Sequence, residues 1–131
     1  MFHEGDLQDG ISEAIQQQKL VACFVRKDGD ETSALWEREW FTGGHRTASG
    51  FEPTPSIPTV LHFKTILLRI DHGSKEAEFL SAFCPIDHVP TLVIIKNGTV
   101  VEKLEGDIGY EQWAKRLTKG CGVRPRWVSV D

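Results

Sequence analysis

The chain contains no Cys-x-x-Cys pair. Its three cysteines, Cys23, Cys84 and Cys121, are odd in number and widely spaced, so they outline neither a disulfide framework nor a zinc site, and three free thiols are expected. Long apolar runs are also missing: nothing approaches the ~20 residues of a membrane helix. The N-terminal MFHEGDLQDG is acidic and polar where a secretory signal needs a basic start and an apolar stretch. A cytoplasmic chain without a transmembrane segment is the expectation. A basic block is absent too. Lys plus Arg number 15 against 19 Asp plus Glu, a net charge of -4, which removes compositional support for nucleic acid as a partner. The five histidines, His3, His45, His62, His72 and His88, show no His-x-x-x-His spacing, no Gly-x-Ser-x-Gly occurs, and no glycine-rich phosphate loop follows a strand. These gaps point away from catalysis, metal and cofactor alike.

What is present fits one domain of 131 residues, 40% hydrophobic and 26% charged. Leu7, Ile11, Ala14 and Ile15 recur at spacings of three and four, which predicts a helix over about 6–18 with Asp6 accepting free amides at its start. The run Leu20 to Val25, rich in β-branched and aromatic residues and ended by RKDGDE, predicts a buried central strand. Cys23 inside that run reads as a core thiol. A helix over about 31–41 would place Leu35, Trp36 and Trp40 on one side, a stripe read as core.

Residues 43–62, with three prolines and three glycines, predict a long loop, with too little apolar area in Phe51 and Ile57 to anchor it. The segment is expected to be mobile, and its deletion to leave the fold intact. A strand over 64–71 follows, then a helix from Lys75 to Phe83 capped by Ser74, with Ala77, Leu80 and Phe83 inward. Cys84, just beyond it, is the one thiol with conceivable exposure and reactivity.

The strands Thr91 to Lys96 and Thr99 to Glu105 flank Asn97-Gly98, the pair favoured in a type I′ hairpin turn because both central residues need positive φ. A last helix is predicted over 109–117 through Tyr110, Trp113 and Leu117. Parallel strand-helix-strand units joined to an antiparallel hairpin give a mixed α/β sheet with helices on both faces, a three-layer arrangement.

The stretch VPTLVIIKNGTVVEKLEG resembles the proline-strand-hairpin-strand signature of the thioredoxin superfamily, which implies a cis bond at Val89-Pro90. In the redox members a dithiol sits after the first core strand, at the start of the next helix. Here that place reads RKDGDETSALWEREW, and the chemistry of a low-pKa thiolate with its resolving partner is absent. Across residues 1–42 and 63–118 the chain is similar to the thioredoxin-like (UAS-type) N-terminal domains of UBX-domain proteins, nearest the erasin type and its fungal relatives. The chain accordingly divides into a thioredoxin-like domain, 1–118, and a tail, 119–131.

The resemblance implies a non-catalytic, protein-binding module of an adaptor in ubiquitin-dependent, endoplasmic-reticulum-associated degradation, placed in the cytoplasm or at the cytosolic face of the endoplasmic reticulum. The partner surface would lie at His88, Val89, Pro90 and Thr91, with Trp36, Trp40, Asn97 and Gly98 structural. The AAA segregase would be gripped only through a UBX domain outside this chain. Two alternatives stay open: a single-cysteine thiol activity through Cys84, and recognition of unsaturated fatty acids, for which Lys115, Arg116 and Lys119 are the basic candidates.

Overall fold

The computed structural model describes residues 2, 6–42, 51–54, 56–123 and 126–129. Every residue of strand β1, Leu20–Arg26, is buried, and alternate side chains point to opposite faces. Leu20, Ala22 and Phe24 enter one apolar cluster, while Val21, Cys23 and Val25 enter another. One strand therefore serves two cores. β1 pairs in parallel with β3, Thr65–Asp71, and antiparallel with β4, Thr91–Lys96. β4 in turn pairs antiparallel with β5, Thr99–Glu105, giving the order β3-β1-β4-β5. Asn97 and Gly98 both have positive φ, 51° and 79°, as the hairpin turn requires. The pairing slips by one residue after Ile94, leaving Val101 without a partner across the ladder, a bulge that disrupts this edge strand.

Helices α1, Leu7–Gln17, and α4, Lys75–Ser81, cover the face of Val21 and Cys23. The opposite face carries α2, Glu31–Leu35, its π-helical continuation Trp36–Trp40, and α5, Tyr110–Gly120. The widened turn is closed by Phe41 N–H donating to the Trp36 carbonyl at 2.9 Å. It brings Trp36, Trp40 and Phe41 together on the buried side. The rings of Trp36, Trp40 and Trp113 pack with centroids 5.1–5.6 Å apart, Trp36 stacked on Trp40 and both tilted against Trp113, so the aromatic stripe is core as expected.

Three expectations fail. Of the segment 43–62, residues 43–50 and Pro55 lie outside the described residues, but the rest is not loop. Strand β2, Phe51–Thr54, pairs with β6, Arg126–Ser129, in a separate two-stranded sheet, and α3 spans Ile57–Lys64. Ile57, Val60 and Leu61 are almost fully buried in the Phe24 and Trp113 cluster. Ser56 caps α3, and Pro58 stands in its first turn, where no intrahelical N–H is needed. Deletion of this segment would therefore remove part of the core.

The tail, second, begins later than 119, since α5 runs to Gly120, and Cys121 is buried. The third failure concerns Phe83, expected inward, which is 56% exposed; Ile15, part of the periodic apolar pattern of α1, is 68% exposed. On α1 the covered stripe is Leu7, Gly10 and Ala14, where the Leu68 side chain packs against Gly10. On α4 the helix stops at Ser81, and the turn that follows releases Phe83.

Candidate functional site

The end of β1 and the start of α2 form the junction where the thioredoxin resemblance would place a dithiol. Asp30 caps α2, accepting from the Ser33 N–H and the Ser33 hydroxyl, both at 2.7 Å. Ser33 is fully buried, and the Lys27 N–H reaches its oxygen at 3.4 Å. The helix-start amide that could steady a thiolate is thus taken up by a carboxylate of the chain itself. Beside it, the buried Arg26 guanidinium meets Asp28 at 2.7 Å, Asp71 at 2.9 Å and Glu37 at 3.4 Å, and Glu37 also pairs with Arg69 at 2.8 Å. The hydrogen bond from Arg26 holds the Asp28 carboxyl below the usual carboxylate range. Sequence reasoning missed this cluster, because Arg26, Glu37 and Asp71 are brought together only by the parallel pairing of β1 with β3 and the packing of the π-helical turn.

No thiol stands at this junction. Cys23, Cys84 and Cys121 are free and buried. Burial, aided by the Glu76 charge, pushes the Cys23 thiol up to about 12, and burial pushes Cys121 to about 12 as well. The exposure a reactive Cys84 would need is not found. Among the described residues no group of three or more His, Cys, Asp or Glu could hold a metal ion.

The loop from His88 to Thr91 leads into β4. The Val89-Pro90 bond is cis, and the Thr91 hydroxyl donates to the His88 carbonyl at 2.6 Å. Thr91 and Pro90 are buried and Val89 is half-buried, so of the four sequence-predicted residues His88 alone is open to solvent. Its Nε2 lies 3.8 Å from Glu105, which also pairs with Lys103 at 3.2 Å, while Lys103 donates to the Pro85 carbonyl. Trp36, Trp40, Asn97 and Gly98 occupy the structural positions described above. His62 and His72 are exposed, and His3 and His45 lie outside the described residues. The basic candidates of α5 do not act as a set: Arg116 donates to Glu102 and to the Lys103 carbonyl, tying α5 to β5, whereas Lys119 lines a groove on another side.

That groove is an open concavity. It has a volume of about 1100 Å³ and runs along α1, α4, the β4-β5 hairpin and the end of α5. Ile15, Phe63, Phe79, Phe83 and Val101, the exposed large apolar side chains among the described residues, all line it.

Residues 1–120 match the model of the family described as UBX7 N-terminal domain. The chain belongs to that family. The matched span takes in 43–62, a stretch that the motif likeness had left outside. Plant UBX domain-containing protein 11 of Arabidopsis thaliana is 29% identical over 117 residues, which is 88% of this chain and 20% of that protein. The chain thus spans about a fifth of the length of its curated relative. Among solved structures, a thioredoxin from Thermus thermophilus superposes with a TM-score of 0.68 at 14% identity, over 88% of this chain and 84% of that one. A mutant thioredoxin from Halobacterium salinarum gives 0.57 at 16% identity, over 95% and 93%. These likenesses establish the thioredoxin-like fold of this UBX7 N-terminal domain, and fold alone does not carry redox activity with it.

Proposed function

We propose that this UBX7 N-terminal domain is a non-catalytic protein-binding module of a UBX-type adaptor in ubiquitin-dependent protein degradation. The single observation behind this reading is the junction after β1, where Asp30, Ser33 and the Arg26 cluster occupy the place of a dithiol. A junction filled by a capping carboxylate, a buried hydroxyl and ion pairs supplies no nucleophile. The finer role follows the erasin-type proteins: the full-length form works at the cytosolic face of the endoplasmic reticulum, the UBX domain engages the AAA segregase, and the present domain contributes a second protein contact. The His88–Thr91 loop is the first surface to test, since it is fixed internally and offers His88 outward. No helix among the described residues is long and apolar enough to cross a membrane.

The test is site-specific photo-crosslinking with a benzophenone amino acid in place of His88, in extract. Adducts that contain ubiquitin conjugates or degradation factors are the expected result. A domain that forms no adduct at position 88 would remove the assignment of this loop, and one that reduces disulfides catalytically would overturn the reading.

A further inference from the structure

The groove opposite the signature loop has a chemical character of its own. Its walls are apolar: Ile11 and Ile15 come from α1, Phe79 and Phe83 from α4 and the turn after it, Phe63 from α3 and Val101 from the bulge of β5. Phe79 and Phe83 touch edge to face with ring centroids 5.3 Å apart. Lys19, Lys64, Lys96 and Lys119 also line it, half of the eight lysines of the chain, and not one Asp or Glu does. In a chain of net charge -4 this is a local reversal of sign. Lys64, Lys96 and Lys119 make no ion pair among the described residues, and Lys19 donates to the His62 carbonyl.

Resting on the reading of the domain as a protein-binding module, we infer that this groove docks an acidic amphipathic helix of a protein partner. An amphipathic helix lays apolar residues at i, i+3, i+4 and i+7 into such a trough, while carboxylates on its flanks meet a lysine rim. The volume of about 1100 Å³ lies at the upper end of the roughly 300–1,000 Å³ of small-molecule sites, and the trough has room for one face of a helix. Apolar side chains open to solvent on a folded surface mark such contacts when they are contiguous and rimmed by charge. None of His88, Val89, Pro90 or Thr91 lines the groove, so the two surfaces can be tested apart.

The probe is a fluorescent acidic peptide of about four turns with Leu and Phe at i, i+3, i+4 and i+7. Its controls are a version with Lys for every Glu and one with the apolar positions scrambled. Anisotropy with the full 131-residue chain should show saturable binding of the acidic peptide alone, weakened by salt. Lys96→Glu with Lys119→Glu should weaken it about ten-fold or more, and so should Phe83→Asp, whose exposed site spares the fold. His88→Ala should leave it unchanged. No binding, equal binding of the scrambled peptide, or indifference to these variants would overturn the proposal. So would a preference of the groove for anionic vesicles or oleate over the peptide, or a concentration-dependent dimer abolished by Phe83→Asp. Loss of the groove result with position-88 adducts intact sinks this inference alone; missing adducts with peptide binding intact sink only the assignment of the loop.

Discussion

A Cβ placed on Gly106 would lie 2.9 Å from Cδ of Pro90 and 3.2 Å from the Val89 carbonyl oxygen, so the start of the turn after β5 presses directly on the signature loop. The constraint is steric. Gly106→Ala should push the loop away or strain it, costing about 1–3 kcal/mol in the manner of overpacking. Urea denaturation measures the cost, and amide shifts at His88 to Thr91 in an NMR spectrum show where it falls. Unchanged stability with unchanged loop shifts would mean that the contact gives way freely.

The junction after β1 makes a second expectation. Insulin reduction driven by dithiothreitol, or by a thioredoxin reductase system, should not rise above the uncatalysed rate, because no thiol stands at the start of α2 and all three cysteines are buried. A rate above background that disappears in Cys84→Ser would revive the single-cysteine alternative.

Helix α3 supplies a third. Leu61 and Val60 are almost fully buried against a cluster built on Phe24, Trp36 and Trp113. Leu61→Ala should cost about 2–5 kcal/mol, since truncation leaves a cavity that the surrounding aromatic rings fill poorly. Removal of residues 44–61 should abolish the cooperative melt. A deletion variant that melts normally would show that the core around Phe24 and Trp113 closes without α3.

The sheet was legible in the sequence because its strands announce themselves twice, through buried runs such as Leu20 to Val25 and through the Asn97-Gly98 turn. Helix α3 was hidden by its prolines. Pro53, Pro55 and Pro58 read as breakers, although the spacing of Ile57, Val60 and Leu61 carried the helical signal, and a proline in a first turn is no obstacle. Periodicity likewise marked Ile15 and Phe83 as apolar without saying that the covered stripe would stop short of them. The proline bend into β4 was legible from the strand behind Pro90, yet the burial of Pro90 and Thr91 depends on the packing of β5 and Gly106, which no local pattern reveals. The Arg26 cluster and the groove draw residues from distant segments, so only the pairing of strands and helices could assemble them.

The buried thiols make stability depend on alkaline pH, and the sign follows from their shifts. Burial first, with the Glu76 charge adding to it, raises Cys23 from 9.0 to about 12, and burial raises Cys121 from 9.0 to about 12. The folded chain therefore keeps both protons between about pH 9 and 12, while the unfolded chain releases them. The folded state binds more protons across that window, so stability is full below pH 9 and falls as pH rises toward 12, by up to about 1.4 kcal/mol per pH unit for each thiol. The informative quantity is a difference between proteins. Cys121→Ala should lose less stability than the parent chain between about pH 8 and about pH 10.5 in urea denaturation, by about 1–2 kcal/mol. Native protein at about pH 8 should also resist iodoacetamide at Cys23 and Cys121, labelling only once urea unfolds it. Equal losses in the two proteins, or ready labelling of the folded chain, would show that these thiols meet water.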